Sequence, residues 1–477
     1  MHIIQINASY KPAYIYGGPT MSVSRLSEAL AKGEDEVKVE QDKGINKLTD
    51  QQINKDETAI EAEAEIKVED KVKNNSKINA STNKQLNKAG VEDEHNSAIN
   101  SLTNKQINNL HVEVLTTTAN GSTELEGIIP GKQVFVDGVP VRYFKRLTKD
   151  HSHFSPALLW HLHKQLQRRT INQSPNHPIN NTGSDTIIHI HAWWNLVSVF
   201  SVAIALWHSY PVILSPRGTL STYSFCNRNS PVKKLFHYFI GKPLLQRCHF
   251  HVTSEKEKQD ICRLLDPKSI SVIPNFVLLE EGQETGNKRQ ETRSNKQEIF
   301  RLVFLSRVEE KKGLDKLFDA LAWCNRPWEL AIAGDGQPGY LEQLKSQAAA
   351  LGIDQHIRWL GHLGQEEKFT VLQQHDLLIL PSHDENFANV VIESLSVGTA
   401  VLISTNVGLA DYVQHKQLGW VCEAKPEIIA QHIVQAMEDI AMRTHIREAA
   451  PDIIRRDFDE HVLVKRYLAM YEDALSG

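Results

Sequence analysis

The chain has 477 residues, which is too long for one ordinary hydrophobic core, so we expect two domains with additional segments. Its 53 Lys and Arg and its 58 Asp and Glu give a formal net charge of -5, which provides no argument for binding nucleic acid. The five cysteines are scattered without CxxC spacing. This pattern argues against a disulfide framework and a zinc site, and it fits a reducing compartment.

The first predicted unit is a strand (HIIQINAS), a turn with Gly17 and Gly18, and an amphipathic helix (TMSVSRLSEALAK). This order is typical of the start of a doubly wound α/β unit. The glycines would let the backbone approach a ligand closely, but a plain tight turn also explains them. No secretory signal peptide is predicted, because the start lacks a basic region followed by a long apolar stretch.

A polar insertion at about residues 33–109 interrupts this unit. It is rich in Lys, Asn, Glu and Gln, and one phrase recurs as INKLTDQQINK, INASTNKQLNK and INSLTNKQINN. The unequal spacing excludes a regular solenoid, and the apolar content is too low for a core. We therefore expect a mostly disordered or loosely helical insertion in a helix-to-strand loop, where added length costs little.

Residues 186–254 contain no Asp or Glu. The part up to Pro216 is long enough for a transmembrane helix, but its His and Pro residues instead favour a buried strand, a helix and a buried strand. Further on, basic and aromatic side chains alternate. They predict either a cationic surface that lies on anionic lipid headgroups or a solvated helix with its aromatic side on the core. These residues are Arg217, Arg228, Lys233, Lys234, Lys242 and Arg247, with Phe225, Phe236, Tyr238, Phe239 and Phe250.

In the second half, strands and helices alternate as in a parallel sheet with crossover helices. The most informative stretch is Leu378–Thr405, which predicts a buried strand, a polar turn with Glu385, a helix with Glu393, and another strand. The free backbone N–H groups at such a helix start bind anions. A carboxylate on each side suits a ligand with both phosphate and hydroxyl groups.

Five motifs of this half resemble the donor domain of a retaining glycosyltransferase of family 4 (group 1). They are SRVEEKKG, AGDGQPGYLEQLK, GHLGQEEKF, DLLILPS and the E-x7-E pair Glu385 and Glu393. In the first half, the glycine turn, VEVLTTTANG, HIHAWW, SPRGTL and TSEKEKQDI are similar to segments of bacterial polysaccharide enzymes of this group. The resemblance implies an α/β fold of the GT-B type, with two Rossmann-like doubly wound domains facing across a cleft.

The resemblance also implies how the chain is divided. Residues 1–279 would form the acceptor-side domain, including the insertion, and residues 280–298 the linker. Residues 299–450 would bind the nucleotide sugar. The helices of residues 451–477 would pack back on the first domain.

By the same resemblance, Arg307 and Lys312 would hold the diphosphate of the donor, and Glu385 would contact the donor sugar. Glu393 would hold the ribose hydroxyls. Ordinary surface charge is the alternative for these side chains. The remaining donor-binding positions are Gly17, Gly18, Gly361, His362, Asn386, Phe387, Ala388, Asn389 and Val390.

Two positions depart from the family pattern. Ala388 stands where the family usually has Gly, which would alter a close backbone approach to phosphate. Arg217, in the SPRG turn, stands where many relatives carry His, and it could anchor a phosphate of the donor or the acceptor. His191 is a candidate for the acceptor side, and a hydrogen-bonded core histidine is its alternative.

The implied reaction moves a hexose from a UDP- or GDP-sugar to a lipid-linked or oligosaccharide acceptor, with retention, in cell-surface polysaccharide or exopolysaccharide biosynthesis. No cofactor and no metal are expected, because no DxD-like pair follows a strand and the family normally needs no metal. We expect a cytoplasmic protein with peripheral contact to the inner face of the plasma membrane. The alternatives are a nucleotide-sugar epimerase on a related fold and a non-catalytic sugar-nucleotide-binding scaffold.

Overall fold

The computed structural model describes residues 1–32, 110–171, 185–226, 230–280 and 299–477. The predictions for the insertion, for Arg228 and for most of the linker therefore lie outside the described residues. The described chain forms two parallel sheets, each covered by helices, which is the arrangement predicted from the alternating pattern.

The first sheet has eight strands in the order β10-β9-β8-β7-β1-β2-β6-β5. All neighbours are parallel except β5 and β6, which form a hairpin. A separate two-stranded ribbon consists of β3 and β4. The strands are β1 (His2–Asn7), β2 (His111–Thr117), β3 (Ala119–Asn120), β4 (Thr123–Glu124), β5 (Gln133–Val136), β6 (Val139–Phe144), β7 (Thr186–His191), β8 (Val212–Ser215), β9 (His249–Val252) and β10 (Ser269–Val272).

Helices of this domain follow the strands and cover both faces of the sheet. Central strands such as β1 and β7 are buried along their whole length, which explains their nearly continuous apolar sequence. The helices are α1 (residues 18–32), α2 (Pro156–Ile171), α3 (Leu196–Trp207), α4 (Thr222–Cys226), α5 (Ser230–Phe236), a π-helical turn (His237–Gly241), α6 (Lys242–Leu245) and α7 (Glu255–Leu264).

The second sheet has six parallel strands in the order β13-β12-β11-β14-β15-β16. They are β11 (Phe300–Leu305), β12 (Trp328–Ala333), β13 (Ile357–Gly361), β14 (Leu377–Leu380), β15 (Ala400–Ser404) and β16 (Gly419–Cys422). The strand order reverses at β11 and β14. Ligands of doubly wound sheets bind outside the carboxyl ends of the strands at such a reversal.

The helices of the second half are α8 (Leu314–Ala322), α9 (Pro338–Ala350), α10 (Gln365–Gln373), α11 (Asn389–Ser396), α12 (Ala410–Lys416), α13 (Pro426–Glu438), α14 (Ile440–Asp457) and α15 (Glu460–Ser476). Short 3-10 turns occupy Tyr14–Tyr16, Glu310–Lys312 and Asp354–His356. Helix α14 packs on the second domain, where its Ile446 and Ile454 join the core. Within the described residues, no helix is long and apolar enough to cross a bilayer.

The last helix returns to the first sheet. Tyr467 and Tyr471 of α15 are fully buried in one core with Ile3 of β1 and Ile187 of β7. The Tyr471 hydroxyl lies 2.8 Å from Nδ1 of His189, another buried side chain of β7. The chain therefore crosses from the second domain to the first after Phe458, and α15 ties its own end to the first sheet.

Candidate functional site

The carboxyl ends of β11 and β14 lie side by side, and the loop after β11 is held against the end of β14. Gly313 closes this loop with φ 72°, and a Cβ there would lie 2.4 Å from the Pro381 carbonyl oxygen. Only glycine allows this approach. The backbone N–H of His383 also donates to the Lys311 carbonyl at 2.8 Å. These contacts place Lys312 beside the turn that carries Glu385.

Lys312 and Glu385 form an ion pair at this position, although 73 residues separate them in sequence. The Lys312 side chain is only 8% exposed and that of Glu385 18%. Burial lowers the pKa of the Lys312 ammonium, and the Glu385 carboxylate opposes this effect. The pair brings a desolvated cation and a carboxylate to the strand-order reversal, as the sequence predicted for a phosphate-and-hydroxyl ligand.

Arg307 lies near this pair but does not join it. Its side chain is 53% exposed, and its guanidinium contacts Glu309 of the same loop at 2.8 Å. Its positive charge is close enough to contribute to the lowered pKa of Lys312. Arg307 is thus a solvent-accessible cation at the mouth of the site, free to change partner at little cost because exposed ion pairs are weak.

Helix α11 begins beside Glu385 and directs its amino end into the cleft between the domains. Its N-cap residue is Ala388, which has φ 71° and ψ 74°. The alanine side chain cannot form a capping hydrogen bond with the first backbone N–H groups of the helix. The left-handed region strains a residue with a Cβ, which gives a physical reason why glycine suits this position better. Phe387 is buried against Phe458 and serves the core, whereas Val390 is half-buried.

Replacing Ala388 with Gly should raise the free energy of unfolding by about 1 kcal/mol, since relief of the left-handed strain exceeds the extra entropy that Gly loses. Urea denaturation of the full chain measures this. Ala469→Gly is the matched control, because Ala469 lies exposed inside α15 and the same change there should destabilise by about 1 kcal/mol. Equal destabilisation at both positions would show that Ala388 is unstrained.

Glu393, the second acid of the pair, lies on α11 with its side chain 11% exposed. Its carboxylate contacts the Lys368 ammonium of α10 at 2.5 Å. Gly361, at the end of β13, has φ 67°, and the next residue, His362, is exposed. Both acids of E-x7-E are therefore partnered by a lysine, so their charges are balanced at a site that would receive an anion.

Two helix starts meet across the cleft. Asn389 of α11 contacts the Ser22 hydroxyl of α1 at 3.3 Å and the Asn275 amide of the first domain at 3.0 Å. Gly17, with φ 63°, directly precedes α1 and Gly18 begins it, and a Cβ at either position would meet open space. The amino ends of α1 and α11 thus face one cleft, where their backbone N–H groups favour an anion.

Arg217 and His191 lie on the first-domain side of this cleft. The Arg217 guanidinium donates to the Asn275 side chain at 2.7 Å and to Nδ1 of His191 at 3.3 Å. His191 is buried, and its Nε2 lies 2.5 Å from the Gln5 side-chain oxygen. His191 thus has the contacts of the hydrogen-bonded core histidine that was its alternative, and it supports Arg217, while its role on the acceptor side stays a prediction.

Two models of known families match the chain, one after the other. The model for glycosyltransferase family 4 matches residues 101–281, and the model for glycosyl transferases group 1 matches residues 284–452. Together they span most of the chain. The chain belongs to the group 1 glycosyltransferases. It is thus a transferase enzyme, as the resemblance implied.

Relatives of this glycosyltransferase match parts of it. An uncharacterized glycosyltransferase of Methanocaldococcus jannaschii is 24% identical over 51% of this chain and 64% of its own length. The D-inositol 3-phosphate glycosyltransferase of Jonesia denitrificans is 30% identical over 36% of this chain and 42% of its own length. Among solved structures, HepE of Anabaena in complex with UDP and glucose has a TM-score of 0.60 at 16% identity, and the match covers 99% of this chain and 100% of HepE. This likeness confirms the GT-B fold.

In this glycosyltransferase, the loop that carries Glu385 also contacts the first domain. The Asn386 side-chain amide donates to the Thr253 hydroxyl at 2.7 Å and to the Glu257 carboxylate at 3.1 Å, both in the first domain. Its neighbour Asp384 contacts Lys256 at 2.9 Å. The residues around Glu385 therefore connect the two domains, and the donor-binding role of Asn386 stays a prediction.

The sequence did not single out Lys368, Ser22 and Asn275. The contact partner of each of these three residues is distant in sequence. Only Lys368 carries a sequence signal, because it lies on a predicted helix just after a glycine turn. Among the described residues, no cluster of three or more His, Cys, Asp or Glu side chains is arranged to hold a metal. Independence from metal stays a prediction for this glycosyltransferase.

Proposed function

We propose that this glycosyltransferase moves a hexose from a UDP- or GDP-sugar to a lipid-linked or oligosaccharide acceptor, with retention of the anomeric configuration. The observation that carries the proposal is the buried Lys312–Glu385 pair at the strand-order reversal, opposite two helix amino ends. A cation and free N–H groups suit the diphosphate, and the carboxylate suits sugar hydroxyls.

In the proposed complex, Lys312 and Arg307 neutralise the diphosphate, and the backbone from Phe387 to Val390 donates to its oxygens. Glu385 accepts from hydroxyls of the donor sugar, and Glu393 accepts from the ribose diol. The nucleobase lies along the turn of Gly361 and His362. Arg217 reaches the diphosphate or an acceptor phosphate from the first domain, held by Asn275 and His191.

The proposed step is a front-face displacement. The acceptor hydroxyl oxygen forms a bond to the anomeric carbon while the bond from that carbon to the phosphate oxygen breaks. The hydroxyl proton passes to the departing phosphate, so the products are the glycoside and a nucleoside diphosphate. Lys312 and the amino end of α11 stabilise the charge that develops on the leaving oxygen, which is where preorganised donors lower a barrier most.

Two observations support the choice of substrates. HepE of Anabaena, which has the same fold over nearly the whole of both chains, has been solved in complex with UDP and glucose. This complex supports a UDP-sugar as the donor of the present enzyme. The sequence resemblance to bacterial polysaccharide enzymes favours a lipid-linked acceptor of cell-surface polysaccharide or exopolysaccharide biosynthesis. Such an acceptor would place the enzyme on the cytoplasmic side of the plasma membrane as a peripheral protein.

A two-stage experiment tests this function. First, thermal shift against UDP-, GDP- and other nucleotide sugars identifies the donor, since a ligand at a hundred times its Kd stabilises by about 2.7 kcal/mol. Second, release of the nucleoside diphosphate is followed with and without candidate acceptors, with and without EDTA. We expect acceptor-dependent release that EDTA leaves unchanged.

Variants then test the assigned residues. Glu385→Ala and Arg307→Ala should each reduce turnover by about a hundredfold, as removal of a preorganised group typically does. Arg326→Ala is the control, because Arg326 is an exposed, ion-paired arginine of the same domain far from the cleft in the fold. Unchanged polysaccharide in cells that carry either site variant, or nucleotide release that needs no acceptor, would overturn the proposal.

A further inference from the structure

The segment from Ser230 to Leu245 is a continuous helical rod formed by α5, the π-helical turn and α6. It carries an unusual number of exposed apolar side chains. Val232 is 68% exposed, Leu235 63% and Phe239 66%. Their spacing of three and four residues places them on one face of the rod. Tyr238, 70% exposed, and Ile240, 48% exposed, flank this face.

Cations border the apolar face. Lys234, Tyr238 and Lys242 recur every four residues and form a stripe beside it, and Arg247 follows at the end of the rod. All three cations are exposed. We name Val232, Leu235, Tyr238, Phe239 and Ile240 with Lys234, Lys242 and Arg247 the 232–247 surface.

Several of the basic and aromatic residues that the sequence predicted for this surface instead contact other parts of the fold. Lys233 donates to the Ser224 carbonyl at 2.9 Å and lies over the Trp194 ring, so it belongs to the fold. Phe236 also packs against Trp194, and Phe250 is fully buried in the core. The expectation of an alternating basic and aromatic surface is therefore corrected to a smaller set, which nevertheless combines an apolar face with a cationic border.

We infer that the 232–247 surface binds an anionic lipid bilayer, with its apolar side chains inserted between headgroups and its cations on lipid phosphates. The positive charge of this surface is complementary to the negative charge of lipid phosphates. Residues 186–254 include no acidic side chain to repel phosphate. Asp266, which lines the same shallow depression as Lys242, is accompanied there by Arg263. Apolar side chains beside lysine on a helix lying along a surface are the pattern of interfacial helices.

The position of this surface also suits the enzyme. Lys233 connects α5 to α4, and Ser221, just before α4, contacts Asp384 of the second domain at 3.1 Å. The rod that carries the 232–247 surface is thus joined through α4 to a contact between the two domains. The advantage of this position rests on the proposed function, whereas binding to a bilayer does not. If the acceptor is lipid-linked, an enzyme that lies on the bilayer through this surface would receive it directly from the membrane.

Co-sedimentation of the full chain with vesicles tests the inference without donor or acceptor. Phosphatidylcholine vesicles with phosphatidylglycerol should bind the protein, pure phosphatidylcholine much less, and added salt should weaken binding. Leu235→Ser with Phe239→Ser should abolish insertion. Lys234→Glu with Lys242→Glu should reduce the partition coefficient at least tenfold, since each lysine near an anionic surface contributes about fivefold.

The matched control is Lys132→Glu with Phe135→Ser, an exposed lysine and an exposed aromatic residue at the far edge of the same sheet, which should bind as the unaltered protein does. Far-UV circular dichroism confirms folding of every variant. Absence of binding to anionic vesicles, or equal binding by all variants, overturns the inference. The inference is also overturned if the Leu235→Ser/Phe239→Ser variant loses self-association but binds vesicles unchanged. That result would show that the surface binds a second copy of this chain.

Discussion

Lys312→Met should lower turnover by a hundredfold or more, and it should also lower the unfolding midpoint, because Glu385 loses its cationic partner. Methionine keeps the length and apolar body of the lysine stem but removes the ammonium, so the diphosphate loses its buried cation. Initial rates of nucleoside diphosphate release at saturating acceptor measure the effect. A fall in kcat that exceeds any rise in KM would show that the charge acts in the transition state.

Controls separate this effect from a loss of folding. Lys311→Met removes the adjacent, more exposed lysine, whose ammonium is 3.9 Å from Glu309, and should change the rate only slightly. Because removal of Lys312 leaves Glu385 as an unpaired buried carboxylate, Lys312→Met with Glu385→Gln should recover stability without recovering the rate. Since burial lowers the pKa of Lys312, activity of the unaltered enzyme should also decline as pH rises toward that lowered pKa. A rate for Lys312→Met within threefold of normal contradicts the assignment.

Acidification from pH 7 to pH 5 should destabilise the first domain by about 4–6 kcal/mol. Burial lowers the pKa values of His189 and His191 well below 6.5 and that of His251 to about 3, so the folded protein keeps all three neutral. The unfolded chain takes up protons below about pH 6.5, and stability therefore falls with pH in this window. A histidine that stays neutral in the folded protein throughout this window contributes at most about 2 kcal/mol between these two pH values.

This network also explains why the effect should be local. His189 lies 2.7 Å from the Ser215 hydroxyl, which lies 2.6 Å from His251, and the hydroxyls of Tyr471 and Tyr467 complete the chain. The hydrogen-exchange protection factors of the β7 amides, referred to the intrinsic exchange rate at each pH, should therefore fall at pH 5 before those of β11. His189→Gln should reduce the slope of stability against pH, whereas His362→Asn, at an exposed site, should not. Equal slopes for both variants would contradict the assignment.

Periodicity and turn residues in the sequence predicted the two doubly wound sheets, because a parallel strand buried on both faces is nearly all apolar and its glycine turn is local. The same local pattern predicted the helix that follows β14, with an acid on each side of its start. Motif order along the chain predicted the family. These features depend on neighbours within about ten residues, which a single sequence displays directly.

The side-chain partners came only from the tertiary structure. Lys312 meets Glu385 and Asn389 meets Ser22 across separations that no periodicity encodes, and the Asn386 amide faces the other domain. His191, a sequence candidate for the acceptor side, is buried and contacts Arg217. Partner choice depends on how sheets and helices pack over the whole fold, and that information is distributed over the entire chain.

The fold class, the family and the unit around Glu385 and Glu393 could all be predicted from the amino-acid sequence, since each is a property of local pattern and motif order. The tertiary structure decided that Lys312 is buried beside Glu385, that Arg307 is at the mouth, and that Lys233 and Phe250 belong to the fold rather than to a lipid-facing surface. The physical reason is burial: whether a charge or a ring meets solvent, a ligand or the core depends on residues that are close only after folding.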